Sequence, residues 1–141
     1  MSDGTFDLHP QLSADTFSVL DLPLCRVLRM NDSTFPWLIL VPRLPDLREI
    51  IDLSAKDQQV LIAEIALASR ALKALLQPDK LNVAALGNAV PQLHVHVIAR
   101  FKTDPAWPRP IWGVVPPAPF ATADMDREAE RLRQALRQAA Q

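Results

Sequence analysis

Cysteine occurs once, as Cys25. A lone cysteine excludes an intrachain disulfide and any thiolate-rich zinc site. No apolar run approaches the ~18 residues of a membrane-spanning helix. The opening residues, Met1-Ser2-Asp3-Gly4-Thr5, lack the basic and apolar regions of a secretory signal. Neither sign of charge dominates: 15 Lys plus Arg stand against 16 Asp plus Glu, for a net charge of -1. That balance argues against a general polyanion-binding surface and leaves room for a local basic pocket. Tyrosine is absent, and glycine occurs only 3 times, so each glycine asks for a local reason.

What is present suits a globular chain. Of 141 residues, 49% are hydrophobic and 22% charged, enough for a core and too apolar for disorder. The expectation is a soluble, cytoplasmic protein with an N-terminal arm over 1–16, a domain over 17–119 and a C-terminal helix over 120–141 packed on that domain.

The texture from Phe17 to Pro42 is strand-like. Thr16 to Leu20 alternates, as does part of Leu24 to Met30. Asn31-Asp32-Ser33-Thr34 is a turn signal, because short polar side chains bond to nearby backbone. Trp37-Leu38-Ile39-Leu40-Val41 reads as a buried strand stopped by Pro42, which makes an antiparallel hairpin. Ser54 to Gln77 is the clearest helix. Its start has capping-box spacing, with Asp57 in place of the usual Glu, and Leu61, Ile65, Ala68, Leu72 and Leu75 form one apolar stripe. A shorter helix is expected within 46–53. Strands are expected over 81–86 and 92–101, joined through Gly87-Asn88-Ala89-Val90-Pro91. The proline-rich stretch 103–119 cannot pair as a central strand and should run over a surface. A second helix follows over 124–140, acidic at its start and basic at its end. Strands with helices to one side argue for an α+β fold with an antiparallel sheet.

Gln92-Leu93-His94-Val95-His96-Val97-Ile98 carries the chemistry. A strand repeats every two residues, so Gln92, His94 and His96 share one face while Leu93, Val95 and Val97 point to the core. Three readings of this pair stand side by side. The histidines line a solvated face, or they ligate a metal, or one is a nucleophile while the other donates a proton or hydrogen bond. Arg43 and Arg100 flank the strands and read as surface charges. His9 has no assigned role, and Trp107 and Trp112 read as packing anchors under the proline-rich stretch.

The run resembles the signature of the histidine-triad (HIT) superfamily of nucleotide hydrolases and transferases, with Gln92 at the first histidine position. Gly87-Asn88-Ala89-Val90 resembles the lead-in to that signature, and Trp37 to Arg43 resembles its strand ending in Val-x-Pro. The resemblance covers residues 17–115. It implies an antiparallel sheet of about five strands with one long helix packed on it, and a homodimer. It implies cleavage at the α-phosphate of a nucleoside 5′-phosphate derivative, a phosphoramidate or a dinucleoside polyphosphate, through a nucleotidyl-histidine intermediate. His94 falls on the nucleophile and His96 on the leaving-group histidine. Gln92 and Trp37 fall on orienting positions, and Trp37 stands where many members carry a fourth histidine. Asn31, Asp32, Asn82, Gly87, Asn88 and Ala89 fall on nucleotide-binding positions, with Ala89 in place of a hydroxyl residue. Trp107 and Trp112 fall in the segment that contacts the partner subunit. The partner implied is a purine nucleotide, with no nucleic acid or membrane. No cofactor or metal is required at the histidines, and Mg2+ is an optional companion of a polyphosphate substrate. The alternative is a nucleotide-binding or interaction module with little or no catalysis, motivated by Gln92, Trp37 and Ala89.

Overall fold

The computed structural model describes residues 4–141. The chain runs through helix α1 (Pro10–Asp15), strands β1 (Thr16–Asp21), β2 (Cys25–Met30) and β3 (Trp37–Pro42), and helix α2 (Ala55–Leu76). It continues through β4 (Lys80–Ala84), β5 (Val95–Arg100) and helix α3 (Thr122–Ala139). The described strands form one five-stranded antiparallel sheet in the order β1-β2-β3-β5-β4. This is the α+β architecture expected, with the long helix packed on the sheet and a C-terminal helix beside it. No described helix is long and apolar enough to cross a membrane.

The central strand β3 is buried along its whole length. Its continuous apolar run follows from burial on both faces. Leu38 and Leu40 enter the larger core with Val95 and Val97 of β5 and with Leu61, Ile65, Ala68 and Leu72 of α2. Trp37, Ile39 and Val41 face the other way and join Leu28, Ile98, Leu12, Ala106 and Ile111 in a second core. The face that carries the histidines is therefore roofed rather than solvated. Its roof is the proline-rich stretch together with the N-terminal segment.

Four local readings change. Residues 10–15, expected within an arm, form a helix with Pro10 in its first turn, and the His9 side chain accepts from the backbone N–H of Gln11. Leu12 of that helix is buried because it closes the second core. The strand expected from Gln92 begins at Val95, because the N–H of Leu93 donates to the carbonyl of Leu47 in a loop instead of entering the ladder. Arg100 is a fully buried side chain, not a surface charge. It is held by the Asp104 carboxylate at 2.8 Å and the Asn82 side-chain oxygen at 2.9 Å, with the Trp107 ring over its guanidinium. Between 46 and 53 only one turn of 3-10 helix forms, at Ile50–Asp52. The start of α2 is as expected, with Ser54 Oγ accepting from the N–H of Asp57 at 3.1 Å.

Candidate active site

β5 and the loop before it place both motif histidines on the second-core face. Their ring centroids lie 5.0 Å apart, and both are buried. Each has one ring nitrogen committed. His94 Nδ1 lies 2.7 Å from the Gln92 carbonyl oxygen. A carbonyl only accepts, so Nδ1 holds the proton in that bond and Nε2 carries the lone pair. His96 Nδ1 accepts from the indole N–H of Trp37 at 2.9 Å. The ring of Trp112 lies 5.2 Å from that of His96, edge to face, and Trp37 lies 5.7 Å away. Burial, with a contribution from His94, pulls the pKa of His96 down to about 4.

His94 borders a cavity of about 270 Å3. Its walls come from Arg48 to Ile51 ahead of α2, from Ala85 to Gly87 after β4, and from Gln92 and Leu93. Gly87 stands at φ +78, a conformation that strains any side chain, which explains this glycine. Arg48, Glu49, Ile50 and Ile51 had no sequence signal. They belong to an irregular stretch that only tertiary packing brings beside the motif.

The other expected site residues divide between this cavity and elsewhere. Gly87 and Gln92 line it, and Asn88 and Ala89 are exposed in the adjoining loop. The Gln92 carboxamide turns toward the N-terminal segment, accepting from His9 N–H at 2.8 Å and donating to the Asp7 carbonyl at 2.9 Å. Its backbone carbonyl, not its side chain, is what meets His94. Asn82 is tied to Arg100. Asn31 and Asp32 border a second cavity of about 380 Å3, whose wall includes Trp37, Met30, Pro117 and Pro119. The Trp37 indole is thus a shared partition, lining the second cavity and contacting His96. Trp107 and Trp112 both make their aromatic contacts within this chain, with Arg100 for the first and with His96 and Trp37 for the second. Among the described residues, no three His, Cys, Asp or Glu side chains converge into a metal-holding group.

The HIT domain family model matches residues 11–103 of the 141. The chain belongs to the histidine triad (HIT) family. Solved HIT proteins resemble it over nearly their full length. A histidine triad protein from Bradyrhizobium japonicum is 50% identical with a TM-score of 0.89, covering 94% of this chain and 98% of its own. One from Marinobacter aquaeolei is 47% identical with a TM-score of 0.92, covering 96% and 99%. One from Sinorhizobium meliloti is 41% identical with a TM-score of 0.89, covering 93% and 97%. No curated protein gives a significant match. The HIT fold accounts for the five-stranded antiparallel sheet with its helices.

Proposed function

We propose that this HIT protein is a cytoplasmic nucleotide hydrolase or nucleotidyl transferase acting at the α-phosphorus of a purine nucleoside 5′-phosphate derivative. The observation that carries the reading is His94. Its Nδ1–H is fixed by the Gln92 carbonyl, which leaves the Nε2 lone pair free, and the residue borders a cavity. Neutral imidazole held in one tautomer is a ready nucleophile. In the first step the Nε2 lone pair forms a bond to phosphorus as the bond to the leaving group breaks. In the second, water attacks the phosphorus, the P–N bond breaks, and its electron pair returns to Nε2. Arg48 at the cavity wall supplies positive charge for the phosphoryl oxygens.

The test is a rapid quench after mixing with adenosine 5′-phosphoramidate or diadenosine triphosphate, followed by intact mass spectrometry and product assay. A nucleotide adduct and turnover are expected for the natural protein and neither for His94→Ala. Turnover that survives His94→Ala overturns the reading.

A second reading is favoured by the position of Trp112 over His96. A module that binds nucleotide without turnover would tolerate such a covered histidine. It predicts nucleotide binding with no adduct on either substrate.

We further propose a homodimer. Strand β4 is a sheet edge, and Val83 and Leu86 at and beyond it are half exposed, which suits pairing with a second copy. Light scattering that reports a monomer at micromolar concentration would remove this proposal.

A further inference from the structure

Strand β5 begins at Val95, so ladder pairing does not set the direction of the Gln92 carbonyl that meets His94. Other contacts hold residue 92. The peptide joining Gln92 to Leu93 is gripped at both its polar atoms. Its N–H donates to the Leu47 carbonyl at 2.9 Å, and its oxygen lies 2.7 Å from His94 Nδ1. The Gln92 side chain is gripped as well. Its oxygen accepts the His9 N–H at 2.8 Å, and its nitrogen donates to the Asp7 carbonyl at 2.9 Å.

A carboxamide sets an acceptor beside a donor, as a backbone residue does. The Asp7 carbonyl and the His9 N–H flank Leu8, and an extended chain turns those two groups to the same side. The Gln92 side chain therefore pairs with this segment as a neighbouring strand would. The segment has its own anchors. Phe6 and Leu8 pack against the second core, and the Arg26 guanidinium lies 5.5 Å from the centroid of the Phe6 ring. The His9 carbonyl accepts the N–H of Ser13 in α1, whose Leu12 enters the same core. The segment is thus the fixed body, and Gln92 is the part it holds.

We propose that Gln92 is a positioning residue whose carboxamide is clamped by Asp7–His9, so that its carbonyl orients the His94 ring and keeps the ring proton on Nδ1. The N-terminal segment then serves the active site without touching substrate, although its partners lie 83 and 85 positions from Gln92 in the chain. The role rests on the reading that His94 attacks the α-phosphorus. That attack needs the lone pair on Nε2 and the ring in one orientation. A ring released from the carbonyl exchanges tautomers and turns about its side-chain bonds, and only a fraction of molecules then presents Nε2 to phosphorus.

The test uses the full chain. Gln92→Met keeps the length of the side chain and removes both of its hydrogen bonds. His9 stands at φ -53, which proline adopts, so His9→Pro deletes the N–H and keeps the path of the chain. It also deletes the imidazole that caps α1, and His9→Ala deletes that cap alone. The first readout is 15N-edited NMR of the imidazole rings at about pH 8, where an ordinary histidine is neutral. A single Nδ1–H tautomer of His94 is expected in the natural protein and in His9→Ala. Both tautomers are expected in Gln92→Met and His9→Pro. A folded Gln92→Met that keeps the single tautomer overturns the proposal, as does Nε2–H in the natural protein. Should Gln92→Met fail to fold, identical His94 spectra in His9→Pro and His9→Ala overturn it.

The second readout is the rapid-quench rate of the nucleotide adduct on His94. Gln92→Met is expected to lower it about tenfold or more, with the loss in kcat rather than KM. His9→Pro should lose a similar factor, and the double variant no more than either alone. Losses that multiply in the double variant mean that the two residues act separately, and overturn the clamp. If the natural protein forms no adduct with diadenosine triphosphate or adenosine 5′-phosphoramidate, the reading of the reaction fails, while the NMR comparison still decides whether the clamp sets His94.

Discussion

The side-chain oxygen of Asn31 accepts the backbone N–H of Phe120 at 2.8 Å, joining the β2–β3 turn to the residue that leads into α3. Its neighbours do the same. Asp32 Oδ1 accepts from the N–H of Ala118 at 3.3 Å, and Ser33 donates to the Ala118 carbonyl from both backbone and hydroxyl. This turn fastens the end of the proline-rich segment that covers the histidine face.

Asn31→Ala is therefore expected to destabilise the ligand-free protein by about 1–2 kcal/mol, the cost of leaving a donor unpaired. Amide exchange at Phe120 should accelerate. Urea denaturation and hydrogen exchange check both. A variant as stable as the natural protein would show that the oxygen does no structural work.

The pairing of Arg29 with Glu128 anchors α3 to β2. The contact is 2.9 Å with both side chains at least nine-tenths buried. Arg29 also donates to the carbonyls of Met30 and Asp32. Burial, with a smaller contribution from the Arg131 charge, pulls its pKa down, and Glu128 and Asp32 oppose that. Removing one partner strands a buried charge, so Arg29→Met is expected to cost about 3–5 kcal/mol. Adding Glu128→Leu to it should recover part of that loss. A double variant weaker than the single one, in guanidinium denaturation, would contradict this.

His96 makes stability depend on pH. Its folded pKa of about 4 lies below the ordinary value of 6.5. The unfolded chain takes up a proton at a pH where the folded chain does not. The contribution is therefore complete above about pH 6.5 and declines as pH falls toward about 4, by an upper bound of about 3 kcal/mol. Denaturation curves at several pH values should show this slope. In His96→Asn the part of the slope within that window should disappear, and a slope unchanged by the substitution would refute the assignment.

Cys25 is fully buried beside Glu64, whose carboxylate accepts the backbone N–H groups of Leu24 at 2.9 Å and Cys25 at 2.8 Å. Burial, then the Glu64 charge, pushes the thiol pKa up. A thiol reagent is expected to label Cys25 only as fast as the protein opens. In Glu64→Ala, two N–H groups lose their acceptor, and labelling should quicken along with a stability loss of about 2 kcal/mol or more. Rapid labelling of the intact natural protein would contradict the burial.

Much of this fold was legible because its elements are written in local periodicity. The stripe on α2 and the run Trp37 to Val41 each satisfy one period over enough residues to exclude the other. The start of α2 was equally legible, since Ser54 caps through a bond three residues away. The histidine pair was legible for the same reason, since a period of two puts His94 and His96 on one face of any strand. Residues 10–15 were not, because their helix is short and is stabilised by Leu12 entering a core built from distant strands. Arg100 was misread as exposed, since nothing near it in sequence announces that Asn82 and Trp107 will close around it.

Residue order alone settled the sheet-forming segments, the long helix and which two imidazoles stand together, because those follow from bonds and side-chain directions within a few residues. Tertiary structure decided what the His96 imidazole meets. The Gln92 carbonyl meets His94 from two residues away, whereas the Trp37 indole reaches His96 only after strand pairing brings β3 beside β5. A tautomer depends on the single partner within hydrogen-bond distance, and for His96 that partner lies 59 positions away in the chain.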